Sequence, residues 1–206
     1  MNLLHTSGIR AWPGIWLVGV ILALLPEDGF AQSGPGSKKD FDSNQAVKMK
    51  LLSVGARARV GEKRVLGEEH PDSFRAYDLT ARFQLPWAVD FQTDWVLDGH
   101  LLTSAGVLRG AGKTAVVVSA IPVLAFEWSE RVIIDGGLGL AALSRHQYAQ
   151  QDFGGHVQFA LTAGLSAAVY RNIWLGYRYQ HYSDAGVYGS GTIGADFHLL
   201  ELSYRY

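Results

Sequence analysis

Near the C-terminus, His181 and Ser183 stand two residues apart in the segment Gln180-His181-Tyr182-Ser183-Asp184. A serine hydroxyl is a poor nucleophile until an adjacent base takes its proton, and an imidazole is the usual base. On an extended strand, residues two apart point the same way with about 6–7 Å between them along the chain, so the ring can lean across to the hydroxyl. The base also needs a third group to fix its tautomer and orientation. Counting back from the C-terminus, Tyr204, Leu202 and Leu200 fall on one face of a final strand together with His198 and Asp196, and Asp196 is the candidate for that third group. Together the three could perform nucleophilic acyl transfer. His-x-Ser alone is a weak pattern, because a His or Ser at a strand end is ordinarily a hydrogen-bonded polar residue at a boundary. The case depends on the elements that carry them.

From Leu51 onward the hydropathy repeats every two residues. Tyr77, Leu79, Ala81, Phe83 and Leu85 alternate with Asp78, Thr80, Arg82 and Gln84, and Val157, Phe159, Leu161, Ala163 and Leu165 alternate with Gln158, Ala160, Thr162 and Gly164. Eight such runs are expected, at 51–60, 74–85, 89–102, 113–124, 131–143, 156–170, 173–182 and 194–206. An even number of strands of about ten residues is what a tilted membrane-spanning strand needs. The connections after the even runs are short, and those after the odd runs read as longer and polar, as in an outer-membrane barrel with periplasmic turns and extracellular loops. The expected fold is an all-β, eight-stranded antiparallel transmembrane barrel over residues 47–206. Trp87, Trp128, Tyr170, Trp174, Tyr204 and Tyr206 fall near the inferred periplasmic ends, as members of an interfacial aromatic girdle. A soluble lipocalin-like barrel has the same periodicity with its apolar face turned inward, and parity alone leaves the two open.

In the seventh run Leu175, Tyr177 and Tyr179 share one face, and the same parity puts His181 and Ser183 on it. In a membrane barrel that face meets lipid, an expensive address for polar groups. Arg178, Gln180, Glu201 and Arg205 fall on the lumen side. Gly136-Gly137 and Gly154-Gly155 fit no phosphate-binding loop and read as close backbone packing or bulges.

The N-terminus carries a different signal. Arg10, the apolar run from Trp12 to Leu25 and the small residues of Gly29-Phe30-Ala31 read as a signal peptide over residues 1–31, since Pro26-Glu27-Asp28 ends the run short of a spanning helix. Residues 32–46 are polar and aperiodic, and read as a flexible leader. Composition narrows the function classes. Charged residues make up 18% of the chain, below the roughly 25% of soluble domains. A net charge of -1 shows no basic excess for a nucleic-acid partner. Cysteine is absent, so disulfides and thiolate metal sites are excluded. His70, His100, His146 and His156 lack ligand spacing, and no cofactor or metal is expected.

The segment His181-Tyr182-Ser183-Asp184-Ala185-Gly186, with the tyrosine-rich strand before it and a Gly-rich loop and a final Tyr-Arg-Tyr strand after it, resembles the lipid A 3-O-deacylase (PagL) family. The resemblance implies an eight-stranded outer-membrane barrel that hydrolyses the ester-linked acyl chain at the 3-position of lipid A. Its partner would be the lipopolysaccharide of the outer leaflet, and it leaves a homodimer open. His181 and Ser183 match the family's base and nucleophile. Asp184 stands where the family usually has Asn, and Asp196 stands for a more usual Glu, one loop residue displaced. The stretch 187–193 lacks the family's Asn-Pro-Gly-like segment, whose Asn side is implicated in the oxyanion hole. Gly191 and Thr192 are the candidates to replace that donor. A non-catalytic barrel, adhesive or structural, is the alternative.

Overall fold

The computed structural model describes residues 49–61, 65–66, 73–91, 93–189 and 191–206. The expected signal peptide and leader lie outside these residues. Eight strands follow one another: β1 (Leu51–Gly61), β2 (Phe74–Asp90), β3 (Trp95–Gly110), β4 (Lys113–Trp128), β5 (Val132–Leu143), β6 (Val157–Tyr170), β7 (Ile173–Ser183) and β8 (Ala195–Arg205). Each pairs with the next in antiparallel fashion, and β1 pairs with β8 to close the barrel. Closure leaves no sheet edge, which is the condition for crossing a bilayer with strands.

Side-chain direction settles the choice between soluble and membrane barrels. β4 alternates strictly, with Val116, Val118, Leu124 and Phe126 exposed and Ala115, Val117, Ile121, Val123 and Ala125 buried. Leu161 and Leu165 on β6 and Leu200 and Leu202 on β8 extend the exposed apolar band. The lumen instead holds charge. Arg178, 2% exposed, donates to Asp135 at 2.7 and 2.9 Å and to Glu201 at 3.0 Å. Arg82 reaches Asp135 at 2.8 Å and Arg57 reaches Asp78 at 2.6 Å. Charges inside and large apolar side chains outside are the arrangement of a transmembrane barrel, because a water-facing band of this extent would associate. The ion pairs follow from the same constraint, since a buried charge persists only with a partner. Above this layer, at the end where β1 meets β2, Phe74, Phe153 and Phe197 fill the lumen with aromatic packing.

Two expectations need correction. The second strand, expected at 74–85, runs on to Asp90, so the third, expected at 89–102, runs from Trp95 to Gly110, and its connection to β4 is the two-residue turn Ala111–Gly112 rather than a long loop. The stretch Thr103-Ser104-Ala105-Gly106 reads as a loop by composition but answers to packing. Ser104 points inward and hydrogen-bonds Ser119 at 2.7 Å, and a Cβ on Gly106 would stand 2.1 Å from the Tyr77 carbonyl oxygen. The turn has φ of 48° at Ala111 and 73° at Gly112, the left-handed pair that suits a two-residue hairpin. Long connections therefore follow β1, β5 and β7 only. The second correction concerns Trp174, which belongs to no girdle. It is 5% exposed and packs in the lumen with Ala125 and Ile133 beneath the Arg205 guanidinium. The girdle gains Trp95, hidden by the misplaced strand, which stacks on Trp128 with ring centroids 6.1 Å apart.

Candidate active site

The end of β7 carries His181 and Ser183 outward, as the parity requires, while Gln180 and Tyr182 between them are buried. His181 lies directly across from Asp196 in the β7–β8 register. Its Nδ1 is 2.5 Å from Asp196 Oδ1. Ser183, the last residue of β7, is paired with Phe159 of β6 on the same outer wall. The three sequence-predicted residues thus share one face at one end of the barrel.

Asp196 is only 1% exposed although it points away from the lumen. The Tyr179 hydroxyl donates to its Oδ1 at 2.8 Å, and the backbone amides of Val65 and Leu66, in the β1–β2 connection, donate to its Oδ2 at 2.5 and 2.7 Å. His198, two residues further along β8, accepts or donates a hydrogen bond with Tyr177 and lies with its ring centroid 5.7 Å from that of Tyr179. The sequence left His198 open between a neighbour of the site and an interfacial residue, and it gave no sign of Tyr179. Tyr179 reads only as one of the lipid-facing residues of this strand, and a tyrosine hydroxyl reaching a carboxylate on the next strand is visible only once the register is known.

The β7–β8 connection is ordered by Asp184, which is 7% exposed. Its Oδ1 accepts from the Gly186 amide and the Thr192 hydroxyl, and its Oδ2 from the Tyr188 amide, each at 3.0 Å. An ionised carboxylate only accepts, so Asp184 gathers loop donors around itself. Thr192, one of the two oxyanion candidates, turns its hydroxyl to Asp184 and the Gly189 carbonyl. Gly191, the other, lies in open space.

The β5–β6 connection braces this loop from the side. Gln151, fully buried, donates to the carbonyls of Ile193 at 2.5 Å and Gly194 at 3.3 Å, and the Ile193 amide donates to the Asp152 carbonyl at 2.9 Å. Gly154 and Gly155 are a close approach, as expected, with a Cβ on Gly155 falling 2.3 Å from the Tyr188 ring. Gly194 makes a second close approach. A Cβ there would stand 2.8 Å from the Tyr182 carbonyl oxygen and 3.0 and 3.3 Å from Cε1 and Nε2 of His181, so the free edge of the imidazole lies over this glycine. Among the described residues no group of three or more His, Cys, Asp or Glu side chains is placed to hold a metal ion.

Fold and site together define a class: a small outer-membrane barrel whose outer wall carries a His181–Asp196 pair at one rim, with Ser183 on the same wall. The family model described as lipid A 3-O-deacylase (PagL) matches residues 75–205, more than half of the chain, and the protein belongs to that family. It is 32% identical over 88 residues to a protein named lipid A deacylase PagL from Bordetella bronchiseptica. That match takes in 43% of this chain and 48% of the relative, about half of its length. The solved structure described as the outer membrane enzyme PagL superposes with a TM-score of 0.60 at 21% identity, over 74% of this chain and 97% of the other, a likeness of fold.

Proposed function

We propose that the protein is an ester hydrolase of the outer membrane that removes the acyl chain at the 3-position of lipid A, with Ser183 as nucleophile, His181 as general base and acid, and Asp196 as the carboxylate that orients His181. Residues 1–31 would serve as its export signal and residues 32–46 as a leader ahead of the barrel. The reading rests on the 2.5 Å contact between His181 Nδ1 and Asp196 on the wall that also carries Ser183. With Nδ1 engaged by the carboxylate, Nε2 is the nitrogen left to take the Ser183 proton.

In the first step Ser183 Oγ attacks the ester carbonyl carbon while its proton passes to His181 Nε2. The resulting imidazolium is stabilised by Asp196. Collapse of the tetrahedral intermediate breaks the bond to the sugar oxygen, which takes the proton from His181, and the acyl group remains on Ser183. Water, deprotonated by the same imidazole, then releases the fatty acid. The oxyanion needs a donor. Because the Thr192 hydroxyl is turned to Asp184, the backbone N–H of Gly191 is the better of the two candidates. A lipid-facing site suits this substrate, whose acyl chains need never leave the leaflet.

The test is mass spectrometry of lipid A from cells expressing the chain or its Ser183→Ala variant. The chain should release a 3-hydroxy fatty acid, and Ser183→Ala should abolish release while the barrel keeps its heat-modifiable gel mobility. Equal release by both would remove Ser183 as nucleophile. No release by either would leave a non-catalytic barrel.

A further inference from the structure

We propose that Tyr179, together with the backbone amides of Val65 and Leu66, positions the Asp196 carboxylate for catalysis, an inference that rests on the triad reading above. An ionised carboxylate has about four lone-pair directions. Here they receive four donors: His181 and Tyr179 on Oδ1, and the two consecutive amides on Oδ2. The division between the oxygens matters. A carboxylate at the end of a short side chain rotates about its last bond, and a carboxylate that can turn to solvent aims at the imidazole only part of the time. Two amides from another part of the chain, 131 and 130 residues away in sequence, clamp Oδ2 and thereby fix the direction of Oδ1.

Tyr179 has a different task. It lies on the same strand and face as His181, two residues earlier, and donates to the same oxygen that His181 meets. It fills the second lone pair of Oδ1, so that the imidazole has one place to bind. A hydroxyl donating to a carboxylate also draws off part of its charge, which tempers how strongly Asp196 holds the imidazolium. Among the described residues of β7 and β8, the other titratable groups on this face are His198 and Tyr177, which bond to each other, and Tyr204 at the far end of β8. From β6 the residue across from His181 is the apolar Leu161, and Gly194 lies beneath its ring.

The test measures release of 3-hydroxy fatty acid from purified lipopolysaccharide by the full chain and by Tyr179→Phe, Leu66→Pro, Asp196→Asn and the two double variants that include Asp196→Asn. Folding is monitored throughout by heat-modifiable mobility. Losing a hydrogen bond to a charged group should lower kcat about tenfold in Tyr179→Phe, with KM little changed. The acid limb of its pH–rate profile should move to higher pH, because an untempered carboxylate holds the imidazolium more tightly. Leu66→Pro, which deletes an amide donor, should also lower kcat. Neither loss should multiply with that of Asp196→Asn, because both groups act through that carboxylate. A Tyr179→Phe variant with full kcat and an unmoved acid limb would overturn the proposal, as would a loss of equal factor in the Asp196→Asn background. Should Leu66→Pro fail to fold, the Tyr179 cycle decides alone. Full activity in Asp196→Asn itself would be the distinct failure of the triad reading, and the positioning proposal would fall with it.

Discussion

Two carboxylates in this barrel are sealed from solvent to almost the same degree, Asp135 in the lumen and Asp196 on the outer wall, and they are held by opposite means. Asp135 meets two guanidinium groups, Arg178 at 2.7 and 2.9 Å and Arg82 at 2.8 Å. Among the described residues, Asp196 meets the Tyr179 hydroxyl, two backbone amides and the imidazole of His181. A carboxylate paired with full cations has its charge already matched and fastens the strands that supply the partners. A carboxylate held by neutral dipoles is fixed in place with its charge still unmatched, ready for a cation that exists only while His181 carries a proton. The first arrangement serves stability, and under the function proposed above the second serves a reaction.

Removing the charge of Asp196 and removing a cation beside Asp135 should therefore give opposite phenotypes. Asp196→Asn keeps the shape and loses the charge, and by analogy with triads in which the carboxylate is replaced by an amide it should lower kcat about 10⁴-fold. The barrel should stay folded, as read by heat-modifiable mobility. Arg178→Met removes a cation shared by Asp135 and Glu201, leaving two buried carboxylates short of a partner. It should cost about 3–5 kcal/mol of stability, a typical figure for breaking a buried pair. The measurement is the urea midpoint of the folded barrel in detergent. If Arg178→Met left that midpoint in place while Asp196→Asn unfolded the chain, the contrast between the two carboxylates would be reversed.

Most of this was legible from alternation. A period of two assigns each side chain of β7 and β8 to a face, so His181, Ser183 and Asp196 could be placed on one wall, and Arg178 and Glu201 in the lumen, without coordinates. What escaped were features that alternation does not encode. Residues 103–106 were misread because a lumen-facing Ser and a Gly pressed against the β2 backbone look like loop composition. Trp174 was misassigned because an aromatic near a strand end suits either the girdle or a lumen already holding Arg205. The hold of Val65 and Leu66 on Asp196 joins residues that only barrel closure brings together, and no local pattern announces it.

A smaller effect follows from the close approach at Gly194. A methyl group there would stand 2.8 Å from the Tyr182 carbonyl oxygen and 3.0 Å from the His181 ring, so the backbone must shift slightly and the imidazole must give with it. A misplacement of the base by about 1 Å can lower the rate on the order of 10²-fold. Gly194→Ala should therefore reduce kcat for fatty acid release with little change in the denaturation midpoint, whereas Gly191→Ala, at a position where a Cβ meets nothing within 4 Å, should fold equally well. A Gly194→Ala enzyme with the parent kcat would show that the imidazole does not need this floor.

The smallest expected effect concerns the brace rather than the site. Burial opposes the charge of Asp152, but the Gln147 side chain, the Gly154 amide and His146 together hold its carboxyl below the ordinary value of 3.8. A carboxyl whose folded value is depressed contributes stability that is present above its unfolded value and is lost as the pH falls through the folded one. The Asp152 side chain is 42% exposed, so solvent screens the contribution and only the local segment should respond. Gly154, whose amide donates to Asp152 Oδ1 at 2.8 Å, lies against Thr192 and Tyr188, so loosening there reaches the loop that follows Ser183. Protection of the Gly154 amide against hydrogen exchange should begin to fall as the pH approaches the ordinary carboxyl value of 3.8 from above and should go on falling below it, and Asp152→Asn should flatten that dependence. The barrel wall around Asp135 should keep its protection over the same range, since its carboxylate is buried and bonded to two guanidinium groups. Equal loss of protection in both regions would mean that acid acts on the whole barrel and that the brace has no separate equilibrium.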